Sequence, residues 1–79
     1  MEWNYRIIKH DTADIPYFAV HEVYYSEKGE PESWTAEPID ITGDDKQEVL
    51  RTIKQLAEDC RQPVLAESKL LKKGGAKNG

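Results

Sequence analysis

The chain contains a single cysteine and no long run of apolar residues. Because Cys60 is the only cysteine among 79 residues, no disulfide can form within the chain, and a lone cysteine is typical of reducing compartments. No apolar segment approaches the roughly 20 residues of a membrane-spanning helix. The first five residues contain neither the basic nor the apolar segment of a signal peptide. We therefore expect a protein of the cytoplasm that does not bind membranes.

Motifs for metal, phosphate or nucleophile chemistry are also missing. The sequence has no HExxH, no pair of cysteines and no glycine-rich phosphate loop. The side chains that remain for acid–base or metal chemistry are His10, Asp11, His21 and Glu22. Zinc requires three or four converging ligands, and the strand register that decides whether the two histidines meet is left open by the sequence. We expect structural or surface roles for both histidines, and no catalytic residue, cofactor or metal.

Charge is divided unevenly along the chain. Residues 1–68 hold all 15 acidic residues and seven basic ones, a net charge of −8, whereas residues 69–79 hold four lysines and no acid. An acidic body repels phosphate backbones, so we expect no nucleic-acid binding by the folded part. Residues 72–79, KKGGAKNG, have little apolar surface to bury. Their composition predicts a disordered Lys/Gly-rich tail after a single domain over residues 1–71.

Alternating apolar and aromatic residues predict strands at residues 3–10 and 17–25. Residues 26–29, SEKG, predict a type I turn followed by Gly29 in the left-handed region. A third strand then begins at Pro31, with residues 33–37 as its clearest part. A helix follows, and residues 63–67 predict a short fourth strand. The expected fold is α+β in the order β-β-β-α-β, an antiparallel sheet of three to four strands with one helix packed on one face.

The predicted helix spans residues 44–61, with Asp44 as the N-cap and Gln47 completing a capping box. Its apolar residues fall on one stripe at helical spacing. That stripe consists of Val49, Leu50, Ile53, Leu56, Ala57 and Cys60. We expect the stripe to be buried and Cys60 to be a small core residue rather than a nucleophile, since free cysteine is usually buried.

The second strand carries large apolar side chains on both faces, although one helix can cover only one of them. Phe18 and Val20 offer bulk on adjacent same-side positions, so we place the helix over them. The opposite face is then open and becomes the candidate interaction face. It consists of Tyr17, Ala19, His21, Val23 and Tyr25.

Four segments together resemble a family of short uncharacterised bacterial proteins. They are WNYRIIKH (residues 3–10), HEVYY (21–25), SWT (33–35) and PVL (63–65). That resemblance spans nearly all of residues 1–67 and implies no catalytic residue. The element order and PIDITGDDKQEVL (residues 38–50) are also similar to HicB-type antitoxins, which implies a toxin-binding domain. The chain departs from those antitoxins at EKGEPESW (residues 27–34) and in lacking their following DNA-binding segment.

Together the patterns favour a small acidic, non-catalytic protein-interaction module, most simply a homodimer that buries the open sheet face. A first alternative is a HicB-like antitoxin or inhibitor domain that binds a basic toxin, which the acidic body favours. A second alternative is a small histidine-dependent or metal-binding enzyme that uses His10 or His21. Seven aromatic residues in strands suit RNA stacking as well, but the acidic body disfavours that interpretation.

Overall fold

A computed structural model of the protein describes residues 2–78. Five strands and two helices follow one another in this part of the chain. They are β1 (Trp3–His10), β2 (Tyr17–Tyr25), β3 (Pro31–Thr35), α1 (Lys46–Asp59), β4 (Leu65–Ala66), α2 (Glu67–Lys72) and β5 (Ala76–Asn78). Neither helix is long and apolar enough to cross a membrane.

The strands form one curled, mixed sheet in the order β4-β1-β2-β3-β5. The α+β class is confirmed, whereas the predicted antiparallel sheet of three to four strands is not. β1, β2 and β3 are antiparallel neighbours, but β4 runs parallel to β1 and β5 runs parallel to β3. The fourth strand predicted over residues 63–67 is present as the two-residue β4. The three-residue β5 is too short to show a readable alternation, so the sequence pattern did not reveal it.

The central hairpin between β2 and β3 turns as its sequence predicts. Gly29 has a φ of 78°, and its N–H donates to Ser26 O at 2.9 Å. The register of the two strands shifts between Tyr24 and Tyr25, as expected for a glycine bulge next to a tight turn. Only glycine adopts this left-handed conformation without a steric penalty.

The buried core lies on the sheet face that was expected to be open. Ile8, Val23, Trp34 and Leu70 form it, the last of these supplied by α2. The candidate interaction residues do share one face, but His21 and Val23 are fully buried within it. The predicted assignment of the two faces is therefore wrong. The short helix α2, rather than α1, supplies the apolar side chain that covers this face.

Helix α1 is close to its predicted span but lies differently. Its N-cap is Asp45 rather than Asp44, and Asp45 Oδ1 accepts a hydrogen bond from Glu48 N at 2.9 Å. No residue of α1 is fully buried, and Ile53 is 46% exposed. The predicted burial of the stripe is thus wrong: Val49, Leu56 and Cys60 are only partly buried. The stripe is exposed because of where α1 lies: β1 is the one strand of the sheet with which α1 makes substantial contact.

The segment that was expected to be a disordered tail is folded over residues 72–78, and Gly79 lies outside the described residues. Helix α2 ends at Lys72 with Lys73 as its C-cap, and Gly74 follows with a φ of 88°. The N–H of Gly74 donates to Leu71 O and that of Gly75 to Leu70 O, both at 3.0 Å. This left-handed helix end turns the chain back, so that β5 pairs with β3. The domain therefore extends beyond residue 71.

Candidate functional site: a buried histidine pair and an open sheet face

A chain of hydrogen bonds crosses the core from β3 to α2 through both histidines. His21 Nδ1 lies 2.8 Å from Thr35 O. His21 Nε2 lies 2.9 Å from His10 Nε2, and His10 Nδ1 lies 3.1 Å from Glu67 Oε2. Both imidazoles and the carboxylate are buried, with His21 fully so. The two histidines, whose approach the sequence left open, therefore do come together.

The direction of each hydrogen bond in this chain follows from the carbonyl oxygen of Thr35 at the β3 end of the chain. A carbonyl oxygen only accepts, so His21 Nδ1 carries a hydrogen and donates it to Thr35 O. In neutral His21 the other nitrogen, Nε2, is then an acceptor, and His10 Nε2 donates to it. One more proton lies between His10 Nδ1 and Glu67 Oε2. The Lys77 ammonium, 2.9 Å from the same Oε2, favours the carboxylate form of Glu67.

Burial acts in opposite directions on the two ends of this chain. Burial lowers the pKa of His21, because the charged imidazolium loses its hydration, and the hydrogen bond to Thr35 opposes this only in part. Burial alone would raise the pKa of Glu67. Hydrogen bonds from Lys77 and Thr12 outweigh it, so the pKa of Glu67 is lowered overall. Neutral His21 and ionised Glu67 are thus the forms that this core favours.

The other two acid–base candidates do not join the histidines. Asp11 accepts hydrogen bonds from Ser68 N at 2.9 Å and from Ser68 Oγ at 2.6 Å, and these bonds lower the pKa of Asp11. It therefore caps the first turn of α2 from a distant part of the chain. Glu22 points to the opposite sheet face, where it accepts a hydrogen bond from Tyr24 Oη at 3.2 Å.

Sequence reasoning missed Glu67, Lys77 and Arg6. Glu67 follows a two-residue strand directly, and no residue pattern distinguishes it from a solvated helix-start carboxylate. Arg6 is buried and donates to Tyr25 Oη at 3.0 Å and to the carbonyl oxygen of Pro63. The one feature of the sequence that could have indicated its role is its position, because a charged residue at an inward-facing strand position must find partners in the core.

All four ring nitrogens of the two histidines are engaged in hydrogen bonds. Within residues 2–78 no group of three or more histidine, cysteine, aspartate or glutamate side chains is placed to hold a metal ion. The facing Nε2 atoms of His10 and His21 bond to each other and leave no nitrogen directed at a substrate. These residues line neither the groove at the β2–β3 turn nor the groove between α1 and the start of β1. The enzyme alternative thus has no accessible histidine in this structure.

The predicted interaction residues are mostly engaged in the covered face. The Tyr17 ring stacks on His10 with centroids 4.5 Å apart, and Tyr25 Oη donates to Asn4 Oδ1 at 2.6 Å. Of the five residues only Tyr17 is exposed, and Ala19 is partly buried. A partner contact through these five residues stays a prediction. In the folded single chain, two of the five are fully buried and so cannot contribute to such a contact.

The opposite side of the β1–β2 hairpin is the open face. Its residues come from alternate positions that face each other across the strand pair. They are Trp3, Tyr5, Ile7 and Lys9 of β1 and Phe18, Val20, Glu22 and Tyr24 of β2. We call this set the open sheet face. Phe18 is 61% exposed and Trp3 is 48% exposed, whereas Phe18 was expected to lie beneath the helix.

Helix α1 borders one end of the open sheet face. A groove of about 420 Å³ separates Trp3 and Tyr5 from the polar side of α1, and the two rings meet edge to face at 5.2 Å. At the adjoining edge of β1, Tyr5 N donates to Asp59 Oδ2 at 3.0 Å. At the other end Lys9 Nζ lies 5.9 Å from the Phe18 ring centroid. The helix therefore leaves the Phe18 end uncovered.

No family model, curated protein or solved structure matches the chain.

Proposed function

We propose that this protein is a non-catalytic protein-interaction module that pairs with a second copy of itself through the open sheet face. The exposure of Phe18 at one end and of Trp3 at the other end of an aromatic and β-branched strand pair, with partly exposed Ile7 and Val20 between them, carries this proposal. Isolated exposed apolar residues are ordinary, whereas contiguous ones mark contact surfaces. The core points the same way, because only four apolar side chains are buried within residues 2–78.

The charge of the open sheet face supports a second copy as the partner. The face carries one cation, Lys9, and one carboxylate, Glu22, although residues 1–68 have a net charge of −8. Two such faces can meet without opposing like charges at their centre. The remaining acidic surfaces still repel at longer range, so salt should strengthen the association by screening them.

The size of the face sets the expected affinity. Two strands of eight and nine residues present a surface of roughly 27 Å by 10 Å. A standard interface buries roughly 800 Å² on each partner, so the hairpin alone falls short and needs contributions from α1. We therefore expect weak pairing, with a Kd on the order of micromolar or weaker.

The test is sedimentation velocity from about 5 μM to 1 mM protein, repeated with Phe18→Ser. We expect a concentration-dependent dimer that Phe18→Ser weakens at least tenfold. The matched control is Leu71→Ser, which removes a half-exposed apolar side chain of α2 on the other side of the sheet and should leave pairing unchanged. A wild-type chain that stays monomeric at 1 mM, or equal losses in both variants, would contradict the proposal.

A basic protein partner is the second candidate, favoured by the acidic charge of residues 1–68. This reading corresponds to an antitoxin-like inhibitor, and salt separates it from self-pairing. Attraction between opposite charges weakens with ionic strength, whereas association of two acidic chains strengthens. Raising NaCl from about 20 mM to 300 mM should therefore tighten the homodimer. A basic partner would instead be released.

A further inference from the structure

We propose that His10, His21 and Glu67 form a proton-sensitive contact that holds the α2–β5 segment on the sheet at neutral pH and releases it in mild acid. The geometry carries this inference independently of the proposed function. Glu67 and Lys77 both belong to the segment, and Glu67 Oε2 joins it to β1 through His10 Nδ1. His10 is held in turn by His21 on β2.

The directions of these hydrogen bonds make His21 the residue whose protonation would break the contact. Its Nδ1–H is committed to Thr35 O, so an added proton must go to Nε2. That nitrogen already accepts the hydrogen of His10 Nε2 at 2.9 Å. Protonation would set two N–H groups against each other, and one ring must then turn away. If the His10 ring turns, its bond to Glu67 breaks as well.

Charges around His21 reinforce the effect from each packed element. Arg6 lies opposite it on β1, Lys77 approaches from β5, and Glu67 faces it from α2. His10 bonds to it directly, while β3 presents only the carbonyl and hydroxyl of Thr35. The one carboxylate in this set is already engaged by Lys77, Thr12 and His10. A cationic His21 therefore gains little compensation in the closed form.

The direction of the pH effect follows from linkage. Burial lowers the pKa of His21 below the ordinary value of 6.5, and opening the segment restores hydration and the ordinary value. The contribution of His21 to the closed form is therefore fully present above about pH 6.5. This contribution is lost as pH falls through about 6.5 toward the lowered pKa, because His21 takes up its proton more readily in the open form.

Opening would uncover a defined set of groups. Trp34 is fully buried, and residue Gly75 lies close against its ring. The N–H of Ala36 donates to Asn78 O at 2.8 Å, a bond that exists only while β5 is in place. The fluorescence of Trp34 and the amide exchange of Ala36 thus report the release directly. The hairpin amides of β1 and β2 report unfolding of the whole domain.

The experiment follows both signals from pH 7.5 to 5.0 in a Trp3→Phe background, so that Trp34 is the only tryptophan. We expect red-shifted emission and at least tenfold faster Ala36 exchange below pH 6.5, while amides in the middle of β1 and β2 stay protected. His21→Gln, whose side-chain oxygen still accepts from His10, should remove the pH step. Lys72→Gln, a substitution of an exposed residue of α2, should leave the pH step unchanged.

A second measurement needs no histidine substitution. The chain has two histidines, so ¹⁵N spectra of the wild-type rings show four nitrogens. We expect His21 as the neutral Nδ1–H form at pH 7.5, and its protonation should coincide with the fluorescence change. The proposal is overturned by His21 protonation without release of Ala36, by release while His21 stays neutral, or by simultaneous loss of the hairpin amides.

Discussion

Glu67 is the residue at which the polar contacts of the core converge. Its two carboxylate oxygens accept hydrogen bonds from Thr12 and Lys77 and lie within hydrogen-bond distance of the His10 ring. The side chain of Glu67 is only 3% exposed. A buried carboxylate is costly unless it is paired and hydrogen-bonded. Here each oxygen has a partner from a different segment, so the cost is offset only in the complete fold.

We expect Glu67→Gln to lower the free energy of unfolding by about 1–3 kcal/mol at pH 7.5, because a buried charged hydrogen bond is lost. The lowered pKa of Glu67 makes this contribution present above the unfolded value near 4.5 and lost as pH falls through the folded pKa. The difference between wild type and variant should therefore shrink at pH 4.0. Urea denaturation at both pH values measures it.

The control for that substitution is Glu58→Gln on the exposed side of α1, which should change stability by less than about 0.5 kcal/mol. A difference for Glu67→Gln that is equally large at pH 7.5 and 4.0 would show that side-chain shape, not charge, is responsible.

Single residues of the site were predictable only where they alternate along a strand. The shared face of His21, Val23 and Tyr25 follows from a period of two, and the structure confirms it. Which face is buried was not predictable, since both faces are apolar and the choice depends on Leu70 of a six-residue helix. The meeting of His10 with Glu67 joins positions 57 residues apart, and no local pattern encodes such a contact.

At the scale of elements, the α2–β5 segment depends on two adjacent glycines with different roles. Gly74 supplies the left-handed residue that ends α2 and has open space around it. Gly75 instead allows close packing, because an added Cβ would lie 2.7 Å from the Trp34 ring and 2.9 Å from Leu70 O. The sequence signal was therefore present in KKGGAKNG, as a glycine following a helical turn, but its composition suggested a tail.

We expect Gly75→Ala to cost about 1–3 kcal/mol, since Trp34 and the backbone of Leu70 must shift to admit the methyl group. Gly29→Ala is the comparison: its site, unlike that of Gly75, is free of neighbours but has a φ of 78°, so about 1 kcal/mol of backbone strain is expected. Thermal unfolding of both variants checks the order. A smaller effect for Gly75→Ala than for Gly29→Ala would show that β5 does not pack on Trp34.

The helix α1 was predictable in span and not in environment. Its cap, its apolar spacing and its end before Pro63 are local features, and the structure places it over Lys46–Asp59. Its burial depends on where the rest of the chain lies. Because α2 supplies the core contact, α1 rests beside β1 with Leu50 and Ile53 about half exposed.

At the scale of the whole molecule, the free energy of unfolding depends on the pairing of both chain ends with the central hairpin between β2 and β3. Deleting residues 74–79 should lower the free energy of unfolding by about 1–3 kcal/mol, because it uncovers Trp34 and removes Lys77 from Glu67. For a domain of this size that corresponds to roughly 5–20 °C in Tm. The composition of the segment alone would predict no change.

Lys77→Gln in the full chain separates the two causes of that loss, because it removes the ion pair and keeps β5. A deletion that leaves Tm unchanged would show that the segment contributes nothing to the fold. A deletion no worse than Lys77→Gln would assign the effect to the ion pair alone.

The short outer strands also decide how this sheet behaves toward other sheets. β5 occupies the outer edge of β3, while β4 and the Asp59 carboxylate occupy part of the outer edge of β1. Unpaired strand edges are where chains add to one another into fibrils. A chain whose β5 has detached would offer the backbone of Ser33, Trp34 and Thr35 as such an edge. Mildly acidic storage would then favour slow amyloid-like aggregation of a protein that stays dispersed at neutral pH.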